Sequence, residues 1–475
     1  MLSSRVLVTA LQKNLSFNDL VVSIAQQVNL KIMKSTRRKF IRNTFITVSG
    51  VSLINTLPGS ASAIKKISAN DKVIVGLIGC NGMGFSDLRS FLKQPEVECA
   101  ALCDVDRNVL EKRAAETVEL TGKKPNLYGD FRKVLEIKDI DAVIIGTPDH
   151  WHCLPMVYAC EAGKDVYVEK PLANTIEECN VMIKTAEKYN RVVQVGQWQR
   201  SDPHWKNVVD FVHSGKLGRI RTVKVWAYIG WKGAVPVLPD EPVPEAVDYD
   251  FWLGPAPKRP FNKNRFHFTF RWFWDYAGGL MTDWGVHLLD YALYGMNEYK
   301  PKAVMASGGK YAFPDDAMET PDTLQAIYDF DNFGVVWDHT IGIYGGPYGR
   351  GHGVAFIGEY GTLVVDREGW EVIPEIGTDN IPKIEAIPDQ GRSSSASGLD
   401  LHVRNFLDCM KTREKPNADI EIGAYIAKFA HLGNIAYKTG RKIYWDADND
   451  AFINDDEANK MIKAHYRDPW KIPQI

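Results

Sequence analysis

The sequence predicts an α/β protein, with an N-terminal doubly wound parallel sheet followed by a C-terminal α+β domain built on a large, mostly antiparallel open sheet. Three observations predict it. Between residues 72 and 196, short β-branched and aliphatic runs alternate with helical patterns, as repeated βαβ units require. The first run ends at a glycine-rich turn, Gly79-Cys80-Asn81-Gly82-Met83-Gly84, that leads directly into a helical pattern. Beyond residue 200 the period changes, and runs at 220–228, 303–308, 323–330, 334–341, 353–358 and 362–366 read as strands with few helices to cover them.

At 475 residues the chain is long enough for two or three domains. Its formal net charge of -2 conceals an asymmetry. Residues 1–63 hold eight Lys/Arg and one acid, Asp19, so 57 and 59 become 49 and 58 and the remainder carries -9. So acidic a body is a poor nucleic-acid binder. Seven cysteines without a C-x-x-C pair imply neither a disulfide framework nor a zinc site. The abundant Trp, Tyr and Phe suit a carbohydrate-sized pocket and a large core equally.

The leader predicts where the protein goes. Ser35-Thr36-Arg37-Arg38-Lys39-Phe40-Ile41 reads as a twin-arginine export motif, followed by a mildly apolar run at 45–57 and an A-x-A cleavage site at Ala61-Ser62-Ala63. The apolar run is too short and too rich in Ser, Thr and Asn to span a membrane. We therefore expect a periplasmic protein exported already folded. Free nicotinamide should be scarce there, so a redox enzyme would carry its cofactor tightly held.

In chain order, 72–79 is a nearly continuous apolar strand, as a fully buried parallel strand should be. The turn after it is a dinucleotide fingerprint in its expected strand–turn–helix context. Asn81 stands at the middle glycine, where asparagine's tolerance of left-handed geometry should preserve the turn. The next strand, 97–103, ends at Asp104, placed to accept hydrogen bonds from the adenine ribose and to repel a 2′-phosphate. That favours NAD over NADP, although Arg107 keeps NADP open; Asp106 reads as a helix cap. A strand at 141–146 runs into Thr147-Pro148, which should face the cofactor crevice. His152 could contact the cofactor or cap the helix at 155–163. The strand at 166–169 ends at Glu169-Lys170-Pro171, which puts a lysine at the crevice. A helix at 174–190 and a strand at 192–196 complete the first domain, bounded at 70–197, with 198–475 as the second. The connection at 236–260 is Pro-rich and should be an ordered surface loop.

A helix at 280–294 carries Asp283, His287 and Asp290 on one face, by their i, i+4, i+7 spacing. A carboxylate one turn from a histidine can fix its tautomer and raise its basicity. Gly278-Gly279 ahead of it permits close backbone approach. H-x-x-x-D is not a zinc motif by itself, and no metal site is expected.

The Gly79–Gly84 turn, Glu169-Lys170-Pro171 and Asp283-x-x-x-His287 after Gly278-Gly279 together resemble the glucose–fructose oxidoreductase, inositol dehydrogenase and MocA family of NAD(P)-dependent sugar and cyclitol oxidoreductases. The resemblance spans about 70–475, and Leu401 to Leu407 and Tyr466-Arg467-Asp468-Pro469-Trp470 are similar to its exported bacterial members. It implies that Lys170 lies between nicotinamide and substrate hydroxyl, with a cis bond to Pro171. It implies that Asp283 and His287 are the catalytic pair, His287 accepting the proton, and that Arg200 contacts substrate. Asn81 departs from the family pattern and puts the pyrophosphate contact in question. The expected activity is oxidation of a secondary hydroxyl of a sugar, glycoside or cyclitol. The rivals are NAD-assisted glycoside hydrolysis or elimination through a keto sugar, and a non-catalytic sugar-binding protein. The open C-terminal sheet suggests a homodimer or homotetramer.

Overall fold

The computed structural model describes residues 72–392 and 397–475. The leader, its cleavage site and most of the serine-rich stretch lie outside the described residues. The first sheet contains β1 (Val73–Ile78), β2 (Val97–Cys103), β3 (Asn126–Tyr128), β4 (Ala142–Ile145), β5 (Asp165–Val168) and β6 (Val193–Val195). They pair in parallel in the order β3-β2-β1-β4-β5-β6, the order of dinucleotide-binding sheets. Their helices are α1 (Gly82–Leu92), α2 (Arg107–Thr121), α3 (Phe131–Leu135), α4 (Cys153–Glu161) and α5 (Ile176–Lys188). Side chains start four of these five helices, α1 through Asn81. Asp106, Asp130 and Thr175 accept from backbone N–H groups in the first turns of α2, α3 and α5. The strand order reverses between β1 and β4, which opens a crevice beyond their C-terminal ends.

The second half adds α6 (Pro203–His213), β7 (Thr222–Ile229), α7 (Tyr249–Leu253), α8 (Gly279–Asp283), α9 (Gly285–Met296), β8 (Ala303–Gly309), β9 (Thr323–Asp329), β10 (Gly334–Ile341), β11 (His352–Ile357), β12 (Gly361–Val365) and β13 (Trp370–Pro374). It closes with α10 (Gly398–Thr412), α11 (Ile420–Thr439), β14 (Ile443–Asp446), β15 (Ala451–Phe452) and α12 (Asp456–Lys460). Nine strands order as β13-β12-β11-β7-β10-β9-β8-β14-β15. Only β7 and β10 pair in parallel, so the sheet is mixed but mostly antiparallel.

Register explains which face is covered. Val304, Tyr328, Val335, Val223, Phe356, Leu363 and Val372 form one continuous row across seven strands, all buried. Tyr328 of that row stacks on Phe429 of α11 with ring centroids 3.9 Å apart. One residue along, the opposite face runs Met305, Ile327, Val336, Lys224, Ala355, Val364, Glu371, with Met305 and Ile327 exposed.

Two features depart from expectation. The helix expected at 280–294 is two segments, α8 and α9, separated at Trp284. There His287 N–H bonds back to Trp284 O over three residues rather than four, a tighter turn. The second feature is α10. It lies in the C-terminal half of the sequence, yet its Val403, Phe406 and Leu407 share a core with Phe85, Leu88 and Phe91 of α1. Asp400 adds polar ties, accepting from Ser90 Oγ (2.6 Å) and Lys93 Nζ (2.8 Å).

Candidate active site

A cavity of about 830 Å³ runs from the glycine turn to the start of α9. Gly79, Asn81, Gly82, Met83, Asp104, Thr147, Pro148 and Glu169 line one end, and Lys170 stands where it meets the other. Gly79 (φ 86°) and Gly82 (φ 49°) carry the left-handed turns. Asn81 was expected to use that geometry, but it is extended at φ -89°, ψ 160° and caps α1 by accepting from Gly82 N–H. The turn survives because Gly82, one residue later, takes over the positive φ. Gly84 sits beneath, where a Cβ would lie 2.2 Å from Gly79 O. Asp104 accepts from Cys80 N–H (2.8 Å) and Asp106 N–H (2.9 Å), so its carboxylate also braces the turn. Burial raises its pKa against those two donors.

A dinucleotide fits this end. The N-terminus of α1 has no acid in its first turn to compete with phosphate, and Thr147 Oγ1 is buried on the wall without a partner. His267, on a short turn from the second half (His267–Trp272), reaches over the crevice. It lies 2.9 Å from Asp106 Oδ2 and 3.2 Å from Asn81 Nδ2.

At the other end, β5 delivers Lys170 and α8 delivers Asp283. Lys170 Nζ donates to Asp283 Oδ1 (2.7 Å) and Asp283 O (2.9 Å), and its bond to Pro171 is cis. Arg271 Nε donates to the same carboxylate oxygen at 3.2 Å. Burial works to raise the pKa of Asp283, but Lys170 and Arg271 outweigh it and hold the carboxyl well below its usual range. His287 lines the cavity one turn on, 8% exposed, with Nδ1 buried and unpartnered. Burial first, then Lys170 and Arg367, push its pKa well below 6.5, so it is a neutral imidazole able to accept a proton. Burial raises both Asp149 and Glu169 to about 7 against the pull of the nearby cations Lys170 and Arg271.

Lys170, Asp283 and His287 thus meet in one wall, although Asp283 hydrogen-bonds Lys170 rather than His287. Two expected contacts are corrected. Arg200 does not line the cavity. It is held by Asp290 through Nε (2.9 Å) and Nη2 (2.6 Å), because α9 aims Asp290 at the turn carrying Arg200 rather than along the face of Asp283 and His287. His152 neither lines the cavity nor caps α4 through its side chain. Its buried ring lies between Pro171 O (2.7 Å) and Thr147 O (2.9 Å), bracing the two strand ends that frame the site. Sequence reasoning missed Arg271, Arg367, Arg392, Trp198 and His267. Phe270-Arg271-Trp272, just ahead of Gly278-Gly279, was a usable signal for the first; the rest arrive from turns that only the folded sheet brings near.

The sequence matches two family models, "Oxidoreductase family, NAD-binding Rossmann fold" over 73–197 and "Oxidoreductase family, C-terminal alpha/beta domain" over 204–336 and 378–472. The chain belongs to the Gfo/Idh/MocA oxidoreductase family. A glycosyl hydrolase family 109 protein of Shewanella putrefaciens is 40% identical over 154 residues, 32% of this chain and 34% of that one. An alpha-N-acetylgalactosaminidase of Shewanella oneidensis is 32% identical over 201 residues, 39% and 44% of the two chains. The chain spans less than half the length of either relative. Among solved structures of the same fold, levoglucosan dehydrogenase with NADH is 18% identical, with a TM-score of 0.60 over 78% of this chain and 99% of that one. The WlbA dehydrogenase of Bordetella pertussis, with NADH and UDP-GlcNAcA, is 20% identical, with a TM-score of 0.58 over 79% and 100%. Among the described residues no helix is long and apolar enough to cross a membrane, and no group of three or more His, Cys, Asp or Glu is placed to hold a metal ion.

Proposed function

We propose that this family member oxidises a secondary hydroxyl of a sugar, glycoside or cyclitol. The convergence of Lys170, Asp283 and His287 on one wall of the cofactor cavity carries the reading. When bound, the nicotinamide supplies the hydride acceptor. The chain's own residues handle the proton. Neutral His287 takes it from the hydroxyl, and Lys170, aimed by Asp283, donates a hydrogen bond to the oxygen as its charge develops. Asp104 at the ribose end supports NAD over NADP, as does the position of Arg107, which is exposed and off the cavity wall. The twin-arginine leader supports export and a tightly held cofactor, and the Met305–Ile327 face supports self-association.

Lys170→Met tests the mechanism. We expect kcat to fall by roughly 10²–10⁴-fold with bound nicotinamide retained; turnover that survives the substitution would refute it. The names of the Shewanella relatives favour one second reading, redox-assisted glycoside cleavage, in which a ring ketone acidifies the neighbouring C–H and the glycosidic group is eliminated. Incubating the purified protein with a glycoside and no added cofactor separates the two: free aglycone marks cleavage, and a keto product marks oxidation.

A further inference from the structure

Three guanidinium groups reach the cavity wall, from Arg271, Arg367 and Arg392. Arg271 is paired with Asp283, and Arg392 with Asp202. Arg367 makes neither a hydrogen bond nor an ion pair among the described residues, and its Nε is buried without a partner. The neighbouring carboxylate, Asp366, is turned to Arg350 at 2.9 Å. Two rings orient the group, with its Cζ 4.7 Å from the centre of Trp284 and 5.5 Å from that of Trp198. Ring faces attract the cation but leave its in-plane N–H fork unused. Trp198 in turn stands edge-on to His287 at 6.5 Å, so Arg367 belongs to the same wall as the proton acceptor.

The carboxylates of that end are taken up by the other cations. Asp283 answers Lys170 and Arg271, which Asp149 and Glu169 also face, and Asp202 answers Arg392. Asp283 and the exposed Glu368 act on Arg367 only through space, without an ion pair. A half-buried cation with no ion-pair partner is costly, and a ligand anion that docks on it gains accordingly. Guanidinium geometry matches carboxylate and sulfate oxygens two at a time.

We propose that the substrate of this site is an acidic sugar, bearing a carboxylate or a sulfate ester that Arg367 receives through its paired N–H groups, with the charge of Arg392 in support. The inference rests on the sugar-oxidoreductase reading for where the ring lies, but the anion site itself can be measured without turnover.

The test is calorimetric binding of D-glucuronate, D-glucose 6-sulfate and D-glucose to the purified holoprotein at low and high salt. We expect at least one acidic sugar to bind roughly tenfold or more tighter than glucose, with a preference that shrinks in salt. Whichever anion gains more identifies the group. Arg367→Met should erase the preference while leaving bound nicotinamide in place, and Arg367→Lys should restore part of it. Equal binding of all three sugars by the wild-type protein overturns the inference, whatever the variants do. So does a preference that survives in Arg367→Met. Turnover is scored separately: acidic-sugar binding without oxidation of any sugar sinks the proposed reaction and leaves the anion site standing, whereas oxidation of neutral sugars with no binding preference does the reverse.

Discussion

Arg200 and Asp290 have side chains 4% and 1% exposed, and Arg200 donates to the carboxylate through Nε and Nη2 along one guanidinium edge. Breaking such a buried pair from one side leaves a charge with no partner and no water, which costs about 3–5 kcal/mol. Arg200→Met should lower unfolding stability by that order in urea titrations. The double change Arg200→Met/Asp290→Leu should recover most of it and leave the KM for sugar unchanged, whereas a raised KM would return Arg200 to the substrate site. His287 gives the second residue-scale prediction. Its folded pKa is depressed, so the imidazole stays unprotonated, and able to accept, at pH values where an ordinary histidine is charged. The acid limb of kcat/KM should therefore fall below pH 6.5, and His287→Asn should abolish that limb together with most of the activity. Lys170, Asp283 and His287 were legible in the sequence because each sits at a fixed place relative to a strand end or a helix turn. Arg367 was not, because it comes from the turn between β12 and β13 and faces the site only once nine strands have closed.

At the scale of elements, the β1 turn is the part least tolerant of change. A Cβ on Gly84 would meet backbone, Gly79 O at 2.2 Å, with Gly146 Cα at 3.2 Å. No side chain can rotate away to relieve that contact. A Cβ on Gly82 would meet nothing within 4 Å. Gly84→Ala should therefore yield protein with little co-purifying nicotinamide, whereas Gly82→Ala, which faces only the backbone cost of a positive φ, should retain more. Spectra of the denatured supernatants would decide it, and equal loss in both would contradict this account of the turn. Most strands were legible because burial imposes a period of two or a continuous apolar run, and both survive in a single sequence, whereas the short β13, β14 and β15 were not. The interruption of the 280–294 helix at Trp284 was not, since Gly285 weakens a helix there without fixing a break. It coincides with an indole held against His352 and beneath Arg367, partners supplied by distant strands.

Over the whole molecule, two sets of buried groups oppose each other as pH changes. Burial lowers His150, His152, His339, His352, His402 and His431 to about 4. Each contributes stability that is complete above pH 6.5 and lost as pH falls toward 4. Burial also raises Asp149, Glu169 and Glu178 to about 7, and Asp87, Asp104 and Asp290 as well. These carboxyls contribute in the opposite sense, favouring the fold as pH falls below 7. With a similar number of groups on each side, stability should vary little between pH 5 and 7. Below pH 4 the depressed carboxylates, Asp283 and Glu96 among them, must take up protons, and stability should fall steeply. Denaturant titrations at unit pH intervals would show a plateau and an acid edge; a steady slope from 5 to 7 would count against the balance. The two-sheet architecture was legible from the change of period near residue 200. What covers each sheet was not, because apolar helix faces look alike until their partners are known.

The placement of α10 has a consequence for biosynthesis. The nucleotide-binding sheet begins at Val73, but the face packed by α1 is completed by Val403, Phe406 and Leu407. A nascent chain therefore exposes that apolar surface until more than 300 further residues have been translated. The first domain to leave the ribosome cannot finish folding until most of the second has been made, and chains truncated before Gly398 should engage holdase chaperones rather than accumulate as a free cofactor-binding fragment.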